Sequence, residues 1–595
     1  MISQRLGALR ERMSAHNIDM YIIFSEDFHG SEYVGEHFRC RQFISGFTGS
    51  AGTVAVTADG AGLWTDGRYF LQAAQQLEGT GIELFRMGEE AVPTLEEYVR
   101  ENLKEGQRLG FDGRTISAAA GRRYKAICPG LEAGFDLVGE IWAERPPLPA
   151  EPAWLLGEEY AGAPRAQRLA DAAEHLRRRG ADRLILTSLD DICWLLNVRG
   201  NDVQDNPVIL AYLMISAQAE AVLYVNESIF RESDRQELEA AGITFAPYDS
   251  IYEDIRKLPD GLTVMLDSSS VNYAIAGCLP AGVKVLDETD WVMLRKACKN
   301  QTETDNIRKA HIKDGAALTR FMYWLKKNAG KVPLTEISAA RKMESFRKMQ
   351  DGYIEPSFEP ISGYGPHGAI VHYSATPETD ACIEPRGLLL MDTGGQYYEG
   401  TTDITRTFVM GPLSHDEKFY FTQVLRGNLN LAGARFLHGC RGYNLDYLAR
   451  EPLWQLGMDY NHGTGHGVGF LLNVHEKPNS FRWKIRASEA DTDSCVLEEG
   501  MLTSDEPGLY LEGRFGIRHE NLMVCLKDEK NEYGQFMRFE TLTMVPFDLD
   551  GVDPSLMTER EKDLLNAYHK RVYENIAPLI PEEEREWLKT ATRRI

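Results

Sequence analysis

Along residues 2–24, ISQRLGALRERMSAHNIDMYIIF, apolar side chains at Leu6, Leu9 and Met13 have the spacing of one helical face. After a break at His16 and Asn17 they close up into a continuous apolar run. A helix and then a short strand are predicted. The plan returns from Ala166 in AQRLADAAEHLRRRGADRLILTS, where Gly180 stops the helix and Leu184 to Leu186 form the strand. Each copy continues with paired strand-like runs, GTVAVTADGAGLWTD in the first and PVILAYLMISAQAEAVLYV in the second. A helix-like stretch follows each, and then an isolated apolar segment, GIELFRM or GITFAPY. Two similar α/β domains are the economical reading, with the Pro-rich RPPLPAEPAW, Arg145 to Trp154, as a stiff linker between them.

Around Leu294 the texture changes. TETDNIRKAHIKDGAALTRFMYWLKKN places Ile307, Ala310, Ala317, Phe321 and Leu325 near helical spacing and ends at Asn328 to Gly330, so a third domain is expected from here. The domains are drawn at residues 1–151, 152–297 and 298–595. The last closes with charged helices such as MTEREKDLLNAYHKRVYENI, a packing or dimer-forming appendix.

Composition adds boundaries. A chain of 595 residues with 43% hydrophobic and 26% charged residues fits several soluble globular domains. Its longest apolar run, around Pro207 to Ala217, is too short to span a bilayer, and the opening residues lack the apolar block of a signal peptide. Nine cysteines without a CxxC pair predict reduced thiols and a cytoplasmic protein. A formal charge of −24 argues against nucleic-acid and anionic membrane partners.

The candidate chemistry lies in the third domain. LLLMDTGGQYYEGTTDITRTFVM reads as a strand ending in Asp392, a Gly-rich turn, and a second strand on which Asp403, Thr405 and Thr407 share a face. A hairpin would bring Asp392 and Asp403 together. SDEPGLY offers Glu506 before a Pro-Gly turn, and FGIRHENLMV puts Arg518, Glu520 and Leu522 on one face of another strand. NHGTGHGVGFLLNVHE sets His462, His466 and His475 on a glycine-rich backbone that can approach a site closely. Singly, each residue has a plain structural reading as a turn former, a surface charge or a satisfied loop histidine. Together, four carboxylates would repel one another enough to force protonation unless cations lay among them. Two divalent ions balance four carboxylates, and an oxygen-rich pair about 3.5 to 4 Å apart is a hydrolase arrangement. Other motifs fail: GTGHGVG fits GxGxxG in no register, HEKPN and HENLM are not HExxH, and there is no Walker lysine or GxSxG elbow.

The ordered set HYS (His372), DTGGQYYEGTTDITRT, HGTGHGVGFLLNVHE, SDEPGLY and GIRHEN resembles the pita-bread metallopeptidase family and, within it, the aminopeptidase P branch in its long three-domain form. SGFTGSAGTVAVT, WTDGRYFLQAA and DDICWLLNVRGNDVQDNPV extend the resemblance through the leading domains. It implies an α/β (α+β) chain: two similar creatinase-like N-terminal α/β domains followed by a C-terminal pita-bread catalytic domain. It also implies a metallo-aminopeptidase that hydrolyses the bond between an N-terminal residue and a penultimate proline. By the resemblance Asp392, Asp403, His466, Glu506 and Glu520 bind two divalent metal ions. Asp403 and Glu520 bridge them, and Glu506 also carries the proton to the leaving nitrogen. His372 and His475 hydrogen-bond the substrate, His462 lines the proline pocket, and Arg518 and Tyr510 orient ligands or intermediate. Arg68, in DGRY, matches a substrate-binding arginine acting in its own or a partner subunit's site. A homodimer is implied. Manganese suits a mostly carboxylate ligand set, with zinc, cobalt or iron also compatible. Three relatives of the same fold stand as alternatives: an Xaa-Pro dipeptidase (prolidase), the metal-free creatinase, and a non-catalytic pita-bread peptide-binding module.

Overall fold

The computed structural model describes residues 2–484 and 494–595. The chain divides into two compact units, Met1–Glu158 with Ala163–Val292, and Glu159–Gly162 with Met293–Ile595.

In the first unit the helix Ile2–Ala15 buries Leu6, Leu9 and Met13, as their spacing requires. The strand Met20–Ile23 follows and joins a five-stranded sheet in the order Glu83–Arg86, Ala61–Thr65, Thr53–Thr57, Met20–Ile23, Leu109–Gly110. The central hairpin is antiparallel. Parallel pairing of Ala61–Thr65 with Glu83–Arg86 needs a crossover, which the helix Phe70–Gln76 supplies. A second, six-stranded sheet repeats this order with Ile243–Ala246, Ala221–Val225, Ala211–Ser216, Arg183–Leu186 and Thr263–Leu266, and adds Lys284–Asp287 at its edge. Here Glu232–Ala240 is the crossover helix. The duplication read from the hydrophobic pattern is therefore a duplication of topology.

The second unit is built around the helix Gln301–Asn328, which starts in a capping box between Asn300 and Glu303 and buries Ile307, Ala310, Ala317, Phe321 and Leu325. Beside it lies the hairpin Leu388–Tyr397 and Gly400–Val409, in which every residue is buried. One expectation is corrected here. The strand does not end at Asp392 in a Gly-rich turn; it runs on through Gly394 and Gly395, and the chain reverses at Tyr398 and Glu399. Gly394 is glycine because of packing, since a Cβ there would sit 1.9 Å from Ser357 Oγ and 2.1 Å from the Thr402 carbonyl. Arg347 braces this close approach by donating to the Gly394 carbonyl (2.9 Å) and to Asp314 Oδ1 (2.6 Å), while Thr402 donates to Asp314 Oδ2 (2.8 Å).

A six-stranded sheet supplies the other wall, in the order Arg435–Leu437, Gly534–Thr541, Asn521–Asn531, Leu502–Asp505, Gly465–Gly467, Glu476–Phe481. A second correction concerns FGIRHENLMV, which is not one strand. Phe515–Arg518 pairs with Gly508–Leu511 and Asn521–Asn531 pairs with Leu502–Asp505, leaving His519 and Glu520 at the break. There Glu520 N–H donates to the Thr405 carbonyl (3.1 Å), which the alternation of side chains along one strand does not anticipate. The helix Glu559–Ile576 packs Leu565, Val572 and Ile576 into a core shared with Phe421 and Phe547.

Candidate active site

The hairpin register sets the first two carboxylates. Asp403 stands opposite Gly394, and Asp392 is two residues along the same strand, so both project from one face. Glu520 reaches them from the break between strands. Its Oε2 accepts from Thr405 Oγ1 at 2.7 Å, and Thr405 Oγ1 accepts from Arg518 Nε at 3.1 Å. Glu506 comes from the other wall, just past Leu502–Asp505, with its N–H on the Thr464 carbonyl at 2.8 Å. His466 sits in the strand Gly465–Gly467, between Leu502–Asp505 and Glu476–Phe481. That strand is glycine-rich because a Cβ on Gly465 would stand 1.9 Å from the Ser504 carbonyl and one on Gly467 2.3 Å from the Glu476 carbonyl.

Asp403, His466, Glu506 and Glu520 converge, with Asp392 on the same face of the hairpin as Asp403. Ligand atoms of Asp403, His466 and Glu520 all lie within 4.8 Å of one another. His466 Nε2 is 3.5 Å from Asp403 Oδ2 and 3.5 Å from Glu506 Oε1. His466 Nδ1 is 2.8 Å from the Gly467 carbonyl, which can only accept, so Nδ1 donates there and Nε2 is the ring nitrogen turned to the carboxylates. Asp392 Oδ2 accepts from Arg518 Nη2 at 2.7 Å, while its Oδ1 is buried with no hydrogen-bond partner among the described residues. Acceptors facing acceptors in a buried cluster require either protons or cations. Burial, then the Asp392 charge, raises the Asp403 carboxyl well above the carboxylate range; burial, then Asp403, does the same to Glu520. Burial also raises Glu506. The donor set fits a pair of oxygen-ligated divalent cations.

The site has a closed and an open side. Asp403 and Glu520 are 4% and 1% exposed, whereas the side chains of His466 and Glu506 are each 17% exposed. His475 lies on the open side, its ring edge-on to His466 at 4.3 Å between centroids. The next residue, Glu476, is anchored by buried Lys296 (2.7 Å) and by Lys299. His372 occupies the turn after the 3-10 helix Gly365–Ala369. Its neighbours are held on both sides: the Val371 carbonyl accepts from Arg518 Nη1 (3.4 Å), and Tyr373 OH donates to buried Glu336 Oε2 (2.9 Å). His462 Nδ1 is 2.8 Å from the Gly463 carbonyl and its Nε2 2.9 Å from Tyr510 OH, which in turn accepts from Arg518 Nη1 at 2.7 Å. Arg518 therefore links Asp392, Thr405 and Tyr510 through one guanidinium. Arg68 belongs to the first unit, where it forms a two-pronged pair with Asp66, both bonds 2.9 Å, with Glu32 at 3.6 Å.

Several contributors escaped the sequence reading. Thr405 was noted only as sharing a face with Asp403, yet its hydroxyl joins Arg518 to Glu520. Glu336, Lys296, Lys299 and Arg450 carried no motif. A visible signal existed for Arg450, since Asp446 and Arg450 stand four apart on the same helix as the buried Leu445, Ala449 and Leu453, where ionised residues are rare.

Sequence models of known families match the chain along its length. Residues 5–145 and 144–303 match creatinase/prolidase N-terminal domains, residues 305–527 metallopeptidase family M24, and residues 535–595 the C-terminal region of that peptidase. Aminopeptidase P2 of Arabidopsis thaliana is 38% identical over 639 residues, covering 100% of this chain and 88% of the plant protein. A probable Xaa-Pro aminopeptidase P of Sordaria macrospora is 40% identical over 97% of this chain and 96% of its own length. The crystal structure of the X-prolyl aminopeptidase from Caenorhabditis elegans, described as a cytosolic enzyme with a di-nuclear active site, superposes with a TM-score of 0.94 at 33% identity, covering 100% of both chains. The two leading α/β domains and the pita-bread unit are thus those of the resemblance, and the chain belongs to the Xaa-Pro aminopeptidase P branch of the M24 metallopeptidases.

Proposed function

We propose that this metallo-aminopeptidase removes the N-terminal residue from peptides with proline in second position, at the centre formed by Asp392, Asp403, His466, Glu506 and Glu520. The observation that carries the reading is the convergence of Asp403, His466 and Glu520 within 4.8 Å, together with an Asp392 Oδ1 that is buried with no hydrogen-bond partner among the described residues. Two divalent cations there, manganese by preference for a carboxylate-rich set, would supply Lewis acidity toward the scissile carbonyl and acidify water.

The protein's own groups do the rest. Asp403 and Glu520 would hold both ions, with Asp392 completing one site and His466 and Glu506 the other. Arg518 and Thr405 orient Asp392 and Glu520 through the bonds described above. Glu506, on the open side, takes the proton released by water and returns it to the departing imino nitrogen of proline. His475 and His372 donate hydrogen bonds around the scissile bond, where charge develops on the carbonyl oxygen. His462, fixed by Tyr510, forms a wall of the proline pocket. Arg68 belongs to the same proposal as a substrate-binding residue of its own or a partner's site, within a homodimer. A cytoplasmic location is proposed from the reduced-thiol composition; among the described residues no helix is long and apolar enough to cross a membrane.

The test is incubation of the manganese-loaded protein with an Xaa-Pro-Xaa tripeptide, an Xaa-Pro dipeptide and an Xaa-Ala-Xaa tripeptide, followed by identification of the released residue. Release of the first residue from Xaa-Pro-Xaa supports the reading; turnover of the dipeptide alone, or of none, overturns it. Metal analysis of the purified protein decides between manganese and zinc, cobalt or iron.

A further inference from the structure

Arg450 lies in the helix Gly442–Trp454 and is 2% exposed, among the largest fully buried side chains in the protein. An arginine so placed must satisfy its guanidinium inside the protein. One turn earlier in the helix, Asp446 accepts from Nε at 2.6 Å. That pair alone would suffice for charge, but the remaining bonds go elsewhere. Nη1 donates to Asp459 Oδ1 (2.6 Å) and to the Tyr460 carbonyl (2.8 Å), and Nη2 donates to the His462 carbonyl (2.7 Å). The guanidinium also lies over the Tyr460 ring, 3.9 Å from its centroid. Asp459 to Gly463 belong to no strand or helix, so no backbone ladder holds these carbonyls. The planar fork of one arginine does so instead, which a lysine cannot reproduce.

The loop's other end is tied to the site, through the His462 ring on Tyr510 OH and the Thr464 carbonyl on the Glu506 N–H. We infer that Arg450 is a positioning residue for proline specificity: by clamping the backbone of Tyr460 and His462 it sets the place of the pocket wall relative to the carboxylate cluster. The inference rests on the reading of His462 as a wall of the proline pocket.

The experiment uses the full-length manganese-loaded enzyme with Xaa-Pro-Xaa and Xaa-Ala-Xaa tripeptides, and compares Arg450→Lys, Asp446→Asn and His462→Ala. Arg450→Lys is expected to raise KM for the proline peptide about tenfold, with a smaller change in kcat and two metals retained per chain. The preference for proline over alanine in kcat/KM should narrow in the same proportion. Asp446→Asn, which keeps side-chain shape, should move both quantities in the same direction and carries the test if Arg450→Lys does not fold. If His462→Ala raises KM and narrows the preference while neither clamp variant does, the inference is overturned and the reading of His462 stands. If His462→Ala leaves both unchanged, the pocket-wall reading fails and the inference with it. Equal loss on both peptides together with metal loss would mark Arg450 as merely structural, and overturns the inference too.

Discussion

Arg518 Nη2 lies 2.7 Å from Asp392 Oδ2, placing a guanidinium directly behind a carboxylate whose other oxygen is buried with no hydrogen-bond partner among the described residues. The same side chain bonds Thr405 and Tyr510, so one cation orients a candidate ligand, the threonine behind a second candidate ligand, and the tyrosine that holds the His462 ring.

Arg518→Lys keeps the charge but replaces three separated guanidinium nitrogens by one, which cannot span Thr405, Tyr510 and Asp392 together. It is expected to lower metal affinity or activity by about 10- to 100-fold, the usual cost of losing a partner behind a ligand. Calorimetric titration with manganese and steady-state kinetics on a folded variant check this, and wild-type values for both would refute it.

The buried carboxylates make a prediction about the metal-free protein. Asp403 and Glu520 have carboxyl groups raised by burial and by neighbouring acids, so the folded state holds protons that the unfolded chain has already released. The stability this proton uptake confers is present at acid pH and is lost as pH rises above the ordinary carboxylate range. Asp403→Asn should therefore raise the Tm of chelated protein at neutral pH, and flatten its fall with pH, while abolishing metal binding and hydrolysis. In wild type the ions should instead stabilise, each by about 2.7 kcal/mol at a free concentration a hundredfold above its Kd. Thermal scans with and without chelator across pH check both halves; a chelated variant no more stable than chelated wild type would count against the clustered charge.

His475→Ala removes a ring packed edge-on against His466 while leaving every proposed ligand in the chain, and Glu476 with its lysines anchors the next residue. Metal content should stay at two ions per chain while kcat falls by about 10²- to 10³-fold, the range for one transition-state donor. Loss of metal in step with the rate would instead make His475 a part of the metal centre.

A pH effect is expected away from the site. Burial, then the Arg406 charge, lowers the pKa of His569 to about 3, and its Nε2 accepts the Phe547 N–H at 3.1 Å, so the imidazole is neutral in the fold. An unfolded histidine takes up its proton near pH 6.5. The stability contributed by the neutral ring is thus full above that pH and declines as pH falls from about 6.5 toward 3, by about 1.4 kcal/mol per unit. His519 is likewise lowered to about 3 by burial and Arg406, so it adds a second contribution of the same sign to the slope. His569→Gln, which retains an acceptor, should reduce the dependence of Tm on pH between 6.5 and 5. An unchanged slope would exclude His569 as a source.

Much of the site was legible because ligands and elements coincide. Asp392 and Asp403 fall in strands whose pairing follows from apolar continuity, and His466 sits among glycines that only a crowded backbone needs. The misreading of Gly394 and Gly395 as a turn has the same root: glycine marks both a reversal and a close approach, and Ser357 and Thr402, which make the approach, are distant or across the hairpin. The break at His519 and Glu520 was invisible because its cause, the bond to Thr405, spans 115 residues.

The amino-acid order alone determined the repeated α/β plan and the long helix opening the second unit, since these depend on periodicity and local spacing, while the candidate acids and histidines were picked out by the resemblance of their motifs to a known family. The tertiary structure decided how that centre is held and charged. Arg518 behind Asp392, Arg450 on the carbonyls of Tyr460 and His462, and two lysines on Glu476 are partnerships set by packing. Only burial makes a carboxylate cluster choose between protons and cations, and burial is a property of the folded whole.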